Sequence, residues 1–287
     1  MHLTTDLEEL FARRGWSRDD LEKRSDLPVP SYYPDYGIML KLFPRGCEDR
    51  RETEIAALET LAGSSLFVAD CPEIEEAGPR HLVLRCPRGQ ELGEHWSEMT
   101  GEEREDIAHH LGLTLAGLHE SRHGKLPATP WADFVARQRA GLVQRQRSLG
   151  APPQWLRQLT PFLDEMDQLA SDELVLLHTR LTFSTALTRH GAGGWTVTGV
   201  QDFEHAMLGP REFDIAWTLL SVAKGKRPLV RRILDGLDVQ RRDLELQRRL
   251  LGMVLVHPAF DLAKCLRRLG VPRLLTMNDL ARRWFPL

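Results

Sequence analysis

LVLLHTRLTFSTAL, residues 174–187, and GVQDFEHA, residues 199–206, decide how this chain is read. In the first, a short apolar run passes into a polar loop, the layout of a strand that hands over to a loop able to carry chemistry. In the second, Asp202 stands as a lone carboxylate where another apolar run ends. Between them TALTR and WTVTGVQDF flank HGAGG, a glycine-rich segment suited to a hairpin turn. The first loop holds Arg180, whose guanidinium stays protonated at any accessible pH and cannot accept a proton.

Working outward, the hydrophobic period changes along the chain. YGIMLKLF, residues 36–43, is apolar and bounded by Pro34 and Pro44, which predicts a strand carrying one lysine, Lys41. In RRETEIAALETL the residues Ile55, Leu58 and Leu61 recur at helical spacing among alanines, so Glu54 is expected on a helix. SLFVADCPEIEEA and HLVLRCP predict two more strands, separated by the turn signal AGP. After Pro87 and Gly89 the pattern turns helical. Thr100 with Glu103 forms a capping box, and Ile107, Leu111, Leu115 and Leu118 mark one face of a long helix ending near His119. Helix dominates from Trp131 to Ala170, broken at Gly150, Pro152 and Pro153, and returns from Glu212. There is no internal repeat. The boundary is expected at residues 87–89, giving a strand-rich lobe of residues 1–87 and a helical lobe of residues 88–287 that contains the hairpin.

Composition excludes several classes. With 287 residues, 42% of them hydrophobic, the chain can bury a sizeable core. A net charge of −3 argues against bulk attraction to nucleic acid, and the arginines of VARQRAGLVQRQRSL and QRRDLELQRRLL read as the wet faces of amphipathic helices. MHLTTDLEELF is acidic and amphipathic rather than basic and apolar, and no run approaches the roughly 18 apolar residues of a membrane span, so a cytoplasmic protein is expected. Four cysteines without a C-x-x-C pair signal neither a zinc site nor a disulfide framework.

A small lobe of strands with one helix, followed by a helical lobe with a hairpin, resembles the protein-kinase-like fold. From about Pro28 to beyond Trp217 the residues resemble the aminoglycoside phosphotransferase family, whose relatives include choline and homoserine kinases. The resemblance implies an α+β, bilobal architecture: a small antiparallel-sheet N-lobe and a larger, mainly helical C-lobe. It implies that Lys41 holds the phosphates of ATP and that Glu54 pairs with Lys41. LGLTLAGLHE matches the family's long helix, and VLLHTRLTFSTAL aligns with its catalytic loop, H-G-D-L-H-P-G-N. GVQDFEHA matches the Mg²⁺ site at Asp202, and GPREFDIAW places Asp214 as a brace beneath the catalytic loop. Phosphoryl transfer needs cations on the phosphate oxygens, an aligned hydroxyl and a group to orient or deprotonate it.

The departures fall in that loop. Arg180 stands at the catalytic aspartate's position and Thr185 at that of the metal-binding asparagine. Loss of a general base costs about 10²–10⁴-fold. His178 survives as a candidate substitute base, although in relatives its imidazole looks structural. The segment expected over the phosphates, EKRSDLPVPSYYPDYG, has no glycine before Gly37. Arg180 has three destinations: a pair with Asp202 that fills the metal's place, the γ-phosphate or an anionic ligand, or solvent. These substitutions favour a pseudokinase, a binding or regulatory module open to a protein partner. The alternative is an active ATP-dependent transferase acting on a hydroxyl of a small, cationic molecule. ATP and Mg²⁺ both stay open. Glu204, Glu212 and Asp214 could recruit a cationic substrate, with surface or structural roles expected for Glu204 and Glu212.

Overall fold

The computed structural model describes residues 5–17, 22–23, 29–62, 69–121, 126, 129–166, 173–271 and 276–287. In the first lobe, β1 (Glu22–Lys23), β2 (Ser31–Asp35), β3 (Ile38–Leu42), β4 (Glu73–Gly78) and β5 (His81–Arg85) form an antiparallel sheet in the order β1-β2-β3-β5-β4. Strand alternation gives the sheet two apolar faces. Met39, Leu82 and Leu84 enter the main core, whereas Leu40, Leu42 and Val83 point the other way. That outer face is covered by α1 (Thr5–Arg14), which lays Leu7, Leu10 and Phe11 on it. Helix α2 (Glu48–Leu61) buries Ala57, Leu58 and Leu61 in the main core. The strand expected over SLFVADCPEIEEA begins only at Glu73; residues 65–68 of it lie outside the described residues.

The second lobe opens with β6 (Gln90–Glu91), α3 (Leu92–His95) and α4 (Gly101–Glu120). The capping box is present: Glu103 N–H donates to Thr100 Oγ1 at 3.2 Å, and Thr100 N–H to the Glu103 carboxylate at 2.7 Å. Helices α5 (Trp131–Ser148) and α6 (Pro153–Asp164) are split at the Gly150 and Pro152 break. Then come β7 (Val175–Leu177), the hairpin β8 (Ala186–Gly191) and β9 (Gly194–Val200), and β10 (Met207–Gly209). A π-turn over residues 219–223 follows α7 (Glu212–Thr218), and α8 (Arg227–Gly236), α9 (Leu244–Leu255), α10 (Leu262–Leu269) and α11 (Met277–Trp284) complete the lobe.

Two pairings position the site. β10 runs antiparallel to β7 with Met207 opposite Leu177, so the loop leaving β7 at His178 starts beside the loop that enters β10. Asp70 forms a parallel bridge with Gly199, its N–H donating to Thr198 O at 3.0 Å while its carbonyl accepts from Val200 N–H at 3.0 Å. This backbone clasp ties the sheet lobe to the hairpin. The four cysteines are free thiols, and among the described residues no helix is long and apolar enough to cross a membrane.

Candidate functional site

The loop after β7 is held from beneath. Asp214, in the first turn of α7 and 1% exposed, accepts from Thr179 N–H at 2.6 Å through Oδ1 and from His178 N–H at 2.9 Å through Oδ2, which also lies 3.2 Å from His119 Nε2. Two charge-assisted bonds on consecutive amides let Thr179 persist at φ +67, a region costly for a β-branched residue. His178 is fully buried. Its Nδ1 accepts from Arg180 N–H at 3.1 Å, so Nε2 carries the proton and donates to Gln201 O at 3.0 Å. Burial lowers its pKa, which keeps the ring neutral. With both nitrogens committed to the backbone, His178 has no lone pair for a substrate proton, and the substitute-base expectation is corrected. Thr185 also turns inward. Its hydroxyl donates to Arg180 O at 2.9 Å and accepts from Thr182 N–H at 2.8 Å, so it closes the loop on itself instead of facing a metal.

Lys41 points into the cleft from β3 and is 1% exposed. Its ammonium lies 2.6 Å from Glu54 Oε2, 3.2 Å from Glu204 Oε2 and 3.3 Å from Asp202 Oδ1. Burial disfavours its charge, yet Glu54, Asp202 and Glu204 together outweigh that and raise its pKa. Burial pushes the Glu54 carboxyl up to about 7, against the pull of Lys41. Asp202 reaches the cluster through a backbone at φ +71. Glu204, expected at the surface or in a structural part, is instead 8% exposed and central. Its Oε1 lies 3.3 Å from His205 Nε2 and 3.8 Å from Arg50 Nη1. Burial opposes its charge, but the His205 ring and Lys41 prevail and lower its pKa. Glu212, by contrast, pairs with Arg249 at 3.2 Å, away from the cluster.

Arg180 does not form the expected pair. Among the described residues Lys41 is the cation on Asp202, and no carboxylate lies within 4 Å of the Arg180 guanidinium. The strand fixes Lys41 directly over Asp202, so that oxygen is already engaged. Burial lowers the Arg180 pKa, opposed by Glu204 and Asp202 and reinforced by Arg50, and the group remains a cation. Thr185 is withdrawn, Asp202 faces Lys41, and no group of three metal-ligating side chains occurs among the described residues. Lys41, Arg50 and Arg180 gather around Glu204, and Arg50 Nη1, 3.8 Å from Glu204 Oε1, is buried with no hydrogen-bond partner among the described residues. The cleft sets these cations against Glu54, Asp202 and Glu204, and Glu54 Oε1, on a carboxyl whose pKa burial raises to about 7, has no hydrogen-bond partner among the described residues.

Residues 35–248 match the phosphotransferase enzyme family. The chain belongs to that family. Solved structures are similar over most of their length. The GDP and kanamycin complex of APH(2'')-IIia has a TM-score of 0.70 at 15% identity, covering 88% of this chain and 89% of that one. ADP-bound aminoglycoside phosphotransferase APH(2'')-Ib gives 0.65 at 13%, covering 99% and 100%. Macrolide 2'-phosphotransferase MphH from Brachybacterium faecium gives 0.62 at 16%, covering 88% and 90%. No curated protein matches this chain in sequence. At these identities the likeness establishes the fold, α+β with a small antiparallel-sheet lobe and a larger, mainly helical one.

Sequence reasoning missed Arg50, His205 and His257. Arg50 lies one turn before Glu54 on α2, so the i, i+4 spacing from a residue already singled out was the available signal. His257, 2% exposed, sits 3.0 Å by Nε2 from Thr179 O, and its Nδ1 accepts from Ala259 N–H at 3.1 Å. Its ring stacks on Trp217 at 3.7 Å. Burial, with Arg180 and Arg145 nearby, brings its pKa down to about 3. No motif marks it.

Proposed function

We propose that this member of the phosphotransferase family is a pseudokinase: a nucleotide-accepting cleft that has lost the ordinary transfer step. One observation carries the reading. The guanidinium of Arg180 stands where the family resemblance puts the proton acceptor, and the neighbouring carboxylates are engaged elsewhere, Asp214 on the loop amides and Asp202 and Glu204 on Lys41. Lys41, Arg50 and Arg180 supply cations for phosphate oxygens, which supports nucleotide binding; the family's usual group, ATP, brings the phosphoryl chemistry when bound. Complexes of similar solved proteins with ATP, ADP and GDP support the same assignment.

A second reading, an active phosphotransferase, has its own support in the intact Lys41–Glu54 pair at 2.6 Å, the arrangement the family resemblance associates with phosphate positioning. Calorimetric titration with ATP, with and without Mg²⁺, on wild type and Arg180→Asp, together with a phosphate-transfer assay on kanamycin and small alcohols, separates the two. The pseudokinase reading expects ATP binding by wild type and turnover at least about 10²-fold below that of Arg180→Asp. Steady transfer by the unmodified protein overturns it.

A further inference from the structure

On the helical-lobe side of Arg180 lies a second set of cationic donors that the cluster around Lys41 does not use. Trp217 Nε1, Arg145 Nε and Arg145 Nη2 are buried and have no hydrogen-bond acceptor among the described residues. All three atoms are donors only, and a buried donor without a partner costs about 1–3 kcal/mol. Neither Arg145 nor Arg180 has a carboxylate within 4 Å among the described residues. The arginines of α5 were expected on a wet face, yet Arg145 is turned inward and burial lowers its pKa.

Trp217 and the backbone before Arg180 both touch His257, and Arg145 and Arg180 lie near enough to lower its pKa. The His257 ring lies flat on Trp217, and its Nε2 donates to Thr179 O, the residue before Arg180. Gln146, next to Arg145, is fastened to the segment just past His257: Gln146 Nε2 donates to Phe260 O at 2.8 Å and Gln146 Oε1 accepts from Leu262 N–H at 2.8 Å. His257 brings no compensating charge, because its ring is neutral and both its nitrogens are occupied.

We propose that Arg145, Arg180 and the indole N–H of Trp217 form a subsite for the phosphate or carboxylate group of a small anionic ligand. The planar guanidinium fork matches either group with paired hydrogen bonds, and the indole adds a third donor. Two guanidinium groups, neither held in an ion pair among the described residues, repel a polyamine, so this subsite disfavours an amino sugar of the kind bound in the kanamycin complex of the solved relative. The subsite rests on the ligand-holding cleft proposed above but not on the loss of turnover. Its occupant is either the terminal phosphate of a nucleotide or a separate anion.

The test is calorimetric titration of the whole chain with inorganic phosphate, glucuronate, kanamycin and ATP. The variants are Arg145→Gln, Trp217→Phe and, as a surface control that pairs with Asp164, Arg139→Gln. Wild type is expected to bind phosphate or glucuronate saturably, with affinity lowered at least about tenfold by Arg145→Gln and several-fold by Trp217→Phe, unchanged by Arg139→Gln. Kanamycin is expected not to compete. If saturating ATP abolishes phosphate binding and Arg145→Gln weakens ATP equally, the nucleotide's terminal phosphate is the occupant. If phosphate binds undiminished beside ATP, a separate anion is. No saturable binding of either anion by wild type, or affinities indifferent to both substitutions, overturns the subsite. Should Arg145→Gln fail to fold, judged by its melting curve, Trp217→Phe gives the decision alone. Turnover of an amino sugar tests the pseudokinase reading separately.

Discussion

Asp214 and His257 brace one loop from two sides, and His257 does so in a protonation state the fold selects. His257 is neutral in the folded chain, with its pKa brought down to about 3, while in the unfolded chain it titrates near 6.5. Between those values the unfolded state binds the extra proton, so this residue's contribution to stability falls as pH falls. From pH 7 to pH 5 the loss is about 2 kcal/mol. Glu54, whose pKa burial raises to about 7, acts with the opposite sign over the same window, because there the folded state holds more protons. The total profile therefore mixes the two. His257→Gln isolates one: its urea-denaturation stability should drop less than wild type's on going from pH 7 to pH 5, by about 2 kcal/mol. Parallel profiles would mean that His257 is not held neutral. Residues at this scale were legible in the sequence where a motif fixed them. Lys41, Glu54, Asp202 and Asp214 each stand in a recognisable string, and the structure brings Lys41, Glu54 and Asp202 within one ion cluster. Glu204, Arg50 and His257 draw their parts from tertiary neighbours, and one chain position says nothing about those.

At the scale of elements, local signals carried well. The capping box at Thr100 and the hairpin turn in HGAGG depend on bonds between near neighbours in sequence, so their chemistry is written where they form. Long-range contacts were silent. Helix α4 crosses α8 at Gly112 and Gly236, and neither glycine marks a turn. A Cβ at Gly112 would fall 2.3 Å from Ile233 O, and one at Gly236 would fall 2.3 Å from His109 O. Backbone meets backbone at this crossing, so no side chain can swing away to make room. Gly112→Ala and Gly236→Ala are each expected to destabilise the chain by about 3 kcal/mol through overpacking, measured by urea denaturation. Because one crossing is pried open by either change, the double variant should cost clearly less than the sum. Full additivity would show that the helices accommodate each methyl independently.

Over the whole molecule, the main core runs without interruption from the underside of the sheet, at Met39 and Leu84, to Trp284 and Phe285 in and after α11. Opening the lobes therefore exposes surface that both share, and the Asp70–Gly199 clasp opposes the same motion. Among the described residues, only the layer made by Leu7, Leu10 and Phe11 on Leu40, Leu42 and Val83 stands apart from that core. Arg14 Nη1, 2.9 Å from the Glu75 carboxylate, adds a half-buried ion pair at the edge of this layer, worth little against the apolar burial. Segments with few buried contacts open first, so α1 is expected to detach in a sub-global step while the rest stays folded. The sequence showed α1 as amphipathic but not which face of which sheet it covers, since a strand buried on both sides reads as an unbroken apolar run. Hydrogen exchange followed by mass spectrometry distinguishes the layers. In Phe11→Ala the loss of a largely buried ring, 5% exposed, should lower the opening free energy of α1 by about 3 kcal/mol and speed exchange of its amides about 100-fold or more. Amides of α4 and α9, which exchange only when the main core opens, should change far less than those of α1. Equal acceleration in all three helices would make the outer layer part of a single cooperative core, and α1 a requirement for the folded cleft instead of a cover for the sheet.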